Sequence, residues 1–331
     1  MTLLPLLAAA QNQPAGNAPA KPPWEQILTW LPEDTETVIV SQHPNEIRKW
    51  VSKKDIDPLT ERFRFAETVH ELPKGPLLSL KDGLLHKELQ GLKVRCAVEG
   101  SRRFTSPNGL GMMPYQGCHV LQFDPAADGT LKKAFALCLE KADKKITIGD
   151  ETVAVISEKS ENDVWTYFVC RPQPGVLLCA IAQAYLEETL KRMSSPPAKR
   201  ALPADLPEWK QVDTKAVAWA VRHYRKDTAA SDPSSPLRGK AAANESDPNA
   251  VGFVFWYDAK ADTAQARYLS TSKNAVAIVA KGWRHPGEKL DPTIKRGAEG
   301  VVQISSPVGE DRTGSMFLFV LIAYLGHAVY L

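Results

Sequence analysis

The sequence predicts an α+β protein: largely antiparallel sheets with packed helices, arranged as two similar lobes. Three observations predict it. Residues 94–124 read as a hairpin, with an apolar strand (VRCAVEGSRRF), a loop and an apolar return (GCHVLQFD). Residues 217–258 repeat the plan with VAWAVRHYRK, a long loop and VGFVFWYD. Around these hairpins lie stretches with apolar residues at helical spacing, interleaved with short β-branched runs. The first strand of each hairpin ends in a basic pair, Arg102-Arg103 and Arg225-Lys226. Each return strand closes on an aromatic and an aspartate, Phe123-Asp124 and Tyr257-Asp258.

The chain of 331 residues is long enough for one or two domains with a real core. A net charge of +3 is close to balance and argues against a dedicated nucleic-acid protein. Proline, at 25 residues, exceeds the usual ~5% and gathers at turns, so the elements are short and sharply connected.

Residues 3–10 are a short apolar run ending in three alanines, followed by the polar stretch QNQPAGNAPAKPP. That order is the grammar of a secretory signal peptide, here without the basic residue that should precede the apolar run. Trp24, Ile27, Leu28 and Leu31 follow helical spacing, and Pro32 stops the helix. Residues 37–41 (TVIVS) form a β-branched strand. Two further helices are expected over 44–51 and 60–72. After the first hairpin, residues 129–142 form a helix with Leu131, Phe135, Cys138 and Leu139 on its buried stripe.

Three strands follow over 152–157, 165–171 and 176–181, the last two joined at Pro174-Gly175. Residues 182–193 form a helix with Leu186 and Leu190 inward, and Pro196-Pro197 ends it. In the second half the loop over 226–249 is poor in large apolar groups and reads as disordered. A strand over 263–270, a helix over 273–283 and a strand over 301–305 come after it. This helix falls at the same place in its half as the 182–193 helix, which suggests an internal duplication. Residues 315–331 (SMFLFVLIAYLGHAVYL, opening at Ser315 and closing at Leu331) are almost wholly apolar. They read as a core helix, being short of the ~20 residues a span needs; a C-terminal membrane anchor is the alternative. The organisation is therefore a truncated signal peptide and polar linker over 1–23, a first lobe over 24–195, a linker over 196–208 and a second lobe over 209–331.

Motifs that carry chemistry are scarce. No Gly-x-Ser-x-Gly elbow is present. The glycines 109, 111 and 117 lack dinucleotide-fingerprint spacing, and residues 309–315 (GEDRTGS) lack the lysine of a phosphate loop. None of the seven histidines pairs with another or with two cysteines, so no metal site and no cofactor is signalled. Cys118-His119 opens a strand, which sends one side chain to the core and the other away from it; the thiol reads as packed. Five cysteines in an exported chain allow a disulfide, and Cys170 with Cys179, facing across the Pro174-Gly175 hairpin, is the first choice. Arg102, Arg103, Arg222 and Arg225 stand at strand ends where both lobes could present them to an anionic ligand, such as an envelope polymer. Ordinary surface pairing with acids is the competing reading.

LPEDTETVIVSQHP, AVEGSRRF with MPYQGCHVLQF, and the closing FVLIAYLGHAVYL resemble a family of uncharacterised exported bacterial proteins of the planctomycete kind. The resemblance implies export to the periplasm or beyond and one full-length fold, and it carries over no catalytic residue. The sequence thus points to an exported envelope protein that binds a ligand or partner without chemistry of its own. Its alternatives are a hydrolase or transferase whose site is assembled from distant residues, and a membrane-anchored structural protein.

Overall fold

The computed structural model describes residues 22–42, 85–89, 92–103, 115–159, 164–195, 199–224, 249–258, 260–261, 263–282 and 293–307. The segments read above as a signal peptide, as helices over 44–51 and 60–72, as a disordered loop over 226–249 and as an apolar helix over 315–331 lie outside them or almost wholly so. Among the described residues no helix is long and apolar enough to cross a membrane.

The frame is one twelve-stranded antiparallel sheet. Its strands are β1 (Thr37–Gln42), β2 (Val94–Arg103), β3 (Tyr115–Phe123), β4 (Lys144–Ile148), β5 (Glu151–Lys159), β6 (Val164–Gln173), β7 (Val176–Ala180), β8 (Ala218–His223), β9 (Ala250–Asp258), β10 (Thr263–Ser270), β11 (Thr293–Arg296) and β12 (Val301–Pro307). They lie in the order β11-β12-β10-β9-β8-β1-β2-β3-β7-β6-β5-β4. The helices are α1 (Pro23–Trp30), α2 (His86–Leu89), α3 (Asp128–Lys141), α4 (Gln183–Ser194) and α5 (Ala275–Gly282). Both expected hairpins are present, β2–β3 and β8–β9, on either side of β1. In each half three strands run side by side, a helix follows, and the last strand returns to pair with the third. The first half has four strands after its helix and the second has two. β4 and β11, which end the sheet, were not legible in the sequence.

Alternation assigns each strand's side chains to two faces, called A and B here. On face A, α1 and α4 pack over β1, β2 and β3. Ile27, Leu28 and Leu31 are fully buried there, each contributing on the order of 2 kcal/mol. Gly100 lets them approach: a Cβ on it would stand 2.5 Å from Leu31 Cδ1 and 2.8 Å from Tyr185 Oη. Face B carries two apolar clusters. α2 and α3 cover one, with Leu89, Leu131, Ala134 and Cys138 against Leu121, Ile156 and Val169. α5 covers the other, with Ala275 and Val279 against Phe255, Ala266 and Ile304.

Residues 199–208, read from the sequence as a linker, lie against face A. Ala201 and Leu202 are buried, and Ala201 N donates to Leu28 O at 2.9 Å. Glu208, in a 3₁₀ turn (Pro207–Lys210), has no exposed surface. Its Oε1 lies 2.8 Å from His223 Nδ1 on β8. The carboxylate occupies the space over Gly252 on β9, where a Cβ would overlap it. Asp128, at the start of α3, holds the β6–β7 turn: Oδ1 accepts from Arg171 Nη2 at 2.5 Å and from Gly175 N at 3.0 Å. Those two hydrogen bonds set the Asp128 carboxyl below its usual value.

Two outcomes follow from these contacts. Gly252→Ala should cost about 1–3 kcal/mol in urea unfolding, and most of that cost should disappear in a Glu208→Ala background; equal costs in both would mean that the two do not meet. Asp128 is more acidic folded than unfolded, so its contribution is present above the ordinary carboxylate range and is lost as pH falls through its folded value. The urea midpoints of the wild type and Asp128→Asn should differ at neutral pH and converge in acid.

Candidate functional site

Of the arginines singled out by the sequence, Arg102 and Arg222 do not share a face. Thr37 on β1 stands opposite Ser101 on one side and Arg222 on the other, so Arg222 points to face B and Arg102, next to Ser101, to face A. Arg102 is internally committed. Its Nη1 lies 2.6 Å from Asp34 Oδ1 and 3.1 Å from Glu188 Oε2, its Nε donates to Gln116 Oε1 at 3.0 Å, and its guanidinium covers the Tyr185 ring. Burial alone would lower its pKa; the hydrogen bonds and charges of Asp34 and Glu188 outweigh that and raise it. Arg222 is buried and lies over the Tyr224 ring at 5.0 Å. Arg103 is the last residue of β2, and Arg225 lies outside the described residues.

The expected Cys170–Cys179 disulfide is not formed: both are free thiols. The physical reason is a β-bulge between Cys170 and Gln173, which sets Cys170 opposite Leu178 and Cys179 opposite Val169. The extra residue turns the two side chains to opposite faces. Cys96, Cys118, Cys138, Cys170 and Cys179 are all buried. Burial pushes the thiols of Cys96 and Cys138 up to about 12 and raises those of Cys118 and Cys170.

The same alternation separates Cys118, on face A, from His119, on face B. His119 stands in register with Glu99 on β2 and Cys179 on β7. Its Nε2 lies 3.2 Å from Glu99 Oε2, and the two side chains are 12% and 14% exposed. A carboxylate, an imidazole and a thiol therefore share one row between the two apolar clusters of face B. The thiol end of that row is 1% exposed and sits in the α3 cluster. Among the described residues no group of three His, Cys, Asp or Glu is placed to hold a metal.

Face A of the second half holds a different arrangement. Trp24, Trp209 and Trp219 are in contact, with ring centroids 5.0–6.1 Å apart. Trp219 pairs in register with Trp256 on β9, so the aromatic band continues along the sheet. An arginine caps each surface end: Arg200 over Trp209 at 4.6 Å and Arg267 over Trp256 at 4.8 Å. Neither is in an ion pair among the described residues. Burial lowers both pKa values; for Arg200 the charge of Glu25 opposes this in part, and for Arg267 burial is the whole cause. Beside Arg267 lies a hydrogen-bonded polar row. Gln265 Nε2 donates to Thr263 Oγ1 and Ser305 Oγ at 2.8 Å each, and Arg267 Nη1 donates to Ala266 O at 2.7 Å. Sequence reading missed this site, because Arg200 falls in the apparent linker and Arg267 in an ordinary alternating strand.

No family model and no curated protein matches the chain in sequence. Among solved structures it is similar to TP0453 in its crystal forms I and III. For form I the TM-score is 0.43 at 9% identity, covering 93% of this chain and 98% of the other. For form III the TM-score is 0.41 at 9% identity, covering 88% and 96%. Similarity at this level bears on neither the fold nor the function of this chain.

A thiol count checks the cysteine geometry. Folded protein at pH 8 should react with iodoacetamide at none of its five cysteines, and unfolded, unreduced protein at all five. Only three labelled after unfolding would restore a disulfide.

Proposed function

We propose that this chain is an exported envelope protein whose sheet is a binding module for an anionic ligand, without chemistry of its own. One observation carries the reading: Arg200 and Arg267 lie on the same face, each stacked on a tryptophan, and neither has a carboxylate in ion-pair range among the described residues. A guanidinium stripped of part of its water and given no ion pair, with only the longer-range charge of Glu25 acting on Arg200, is under-compensated, and an incoming anion supplies what is missing. This is the role the sequence suggested for Arg102, Arg103, Arg222 and Arg225, moved to two other arginines. Export rests on the leader-like residues 1–23 and on the family resemblance.

A second reading, a hydrolase or transferase, is favoured by the Glu99–His119 pair in register with Cys179. Imidazole held by a carboxylate is the usual partner of a nucleophile. It competes with the observation that the thiol is closed to solvent.

Sedimentation with isolated cell envelopes tests the proposal. Wild-type protein should co-sediment and be released by salt. Arg200→Gln and Arg267→Gln should each weaken binding about tenfold or more, the scale of a lost charge-assisted hydrogen bond. Unaltered binding of the double variant would sink the reading.

A further inference from the structure

We infer that the free edge of β4 docks an extended acidic segment of a partner protein, which joins the sheet as one more strand. β4 lies at the opposite end of the sheet from Arg267 on β10, so this assignment and the anion-binding reading can fail separately.

β4 pairs with β5 alone and ends the sheet. The hairpin between them fixes which backbone groups are left over. Ile148 stands opposite Glu151 across the two-residue turn Gly149-Asp150, with Gly149 at φ 59°. The pair that closes such a turn is hydrogen-bonded, and bonding alternates from there. Ile148, Ile146 and Lys144 therefore bond to β5, and the N–H and C=O of Lys145 and Thr147 point away from the sheet. Among the described residues none of these groups has a partner outside the ladder. An unpaired rim of this kind is the template for strand addition.

The side chains set the partner's chemistry. Lys144, Lys145 and Thr147 are exposed, while Ile146 and Ile148 are half-buried against the face A cluster. Neither lysine is in an ion pair among the described residues, and the carboxylate of the adjoining Asp143 accepts from Ser157 N at 2.5 Å. At the turn the sign changes, with Asp150 exposed and Glu151 half-buried. The rim thus runs from positive through half-apolar to negative. A strand laid antiparallel on it, as in every other pair of this sheet, meets Ile148 first and Lys144 last. It needs apolar residues opposite Ile148 and Ile146 and acids opposite Lys145 and Lys144; Val-Thr-Val-Glu-Glu is such a sequence. A second copy of β4 would instead bring two more lysines to the same rim. β11, at the other rim, is one residue shorter and has one apolar residue, Ile294, where β4 has two.

Fluorescence anisotropy of the full chain at low salt tests this, with labelled Val-Thr-Val-Glu-Glu and Val-Thr-Val-Lys-Lys as the two probes. The acidic peptide should bind and the basic one should not. Lys144→Glu combined with Lys145→Glu should weaken the acidic peptide about tenfold and bring in the basic one. Thr147→Pro removes one outward N–H and leaves the ladder to β5 in place, so it should abolish binding with circular dichroism unchanged. N-methylation of the peptide's threonine removes the matching N–H from the other side and should do the same without touching the protein's fold. Binding that survives the N-methylated peptide would overturn strand addition. Equal binding of both peptides, or no saturation by the acidic one below about 1 mM, would overturn the acidic partner. Concentration-dependent dimers of the wild type that Thr147→Pro abolishes would give the edge to a second copy and overturn the assignment.

Discussion

The architecture depends on β1 being hydrogen-bonded on both sides. Its six residues pair with β2 along one edge, and five of them, Thr37 to Ser41, pair with β8 along the other. Through it, strands from the two halves of the chain become one sheet. The pairing also fixes parity. Once Val38 stands opposite Gly100 and Val221, every side chain on the neighbouring strands is assigned to a face, and a slip of one residue would exchange the faces. Such a slip would bury Glu99 under α1 and α4 and take Val98 out of that core, so the apolar pattern enforces the register.

Parity explains what could and could not be read from the sequence. Elements with strong periodicity were legible: β2, β3, α3, β9 and β10 stand within a residue or two of where the pattern put them. Face assignments inside one strand were legible too, as with Cys118 and His119. Relations between strands were not. Whether Arg102 and Arg222 share a face depends on registers set through β1, and Cys170 and Cys179 part company because of one bulged residue in β6. β4 and β11 escaped because they are short and half basic, so they carry little apolar signal.

The arginine–tryptophan stacks show the same limit. Arg200 and Trp209 flank a proline-rich stretch whose composition says linker, yet Ala201 and Leu202 are buried and the segment is bound to α1. Docking there depends on Gly252, whose missing side chain makes room for Glu208. Nothing local to residues 199–210 announces that a glycine some forty residues on will receive them. Arg267 is legible as a polar residue in an alternating strand; that no acid among the described residues pairs with it is a property of the assembled face.

The strands that close the sheet at its two ends carry a further consequence. β4 begins Lys144-Lys145 and β11 ends Lys295-Arg296, and all four residues are exposed. A sheet rim offers unpaired amide and carbonyl groups to any chain that can extend it. With like charges at both rims, a second molecule approaching rim to rim meets repulsion before it can form a ladder. The residues that made these strands hard to recognise thus set like charges on both rims of the sheet.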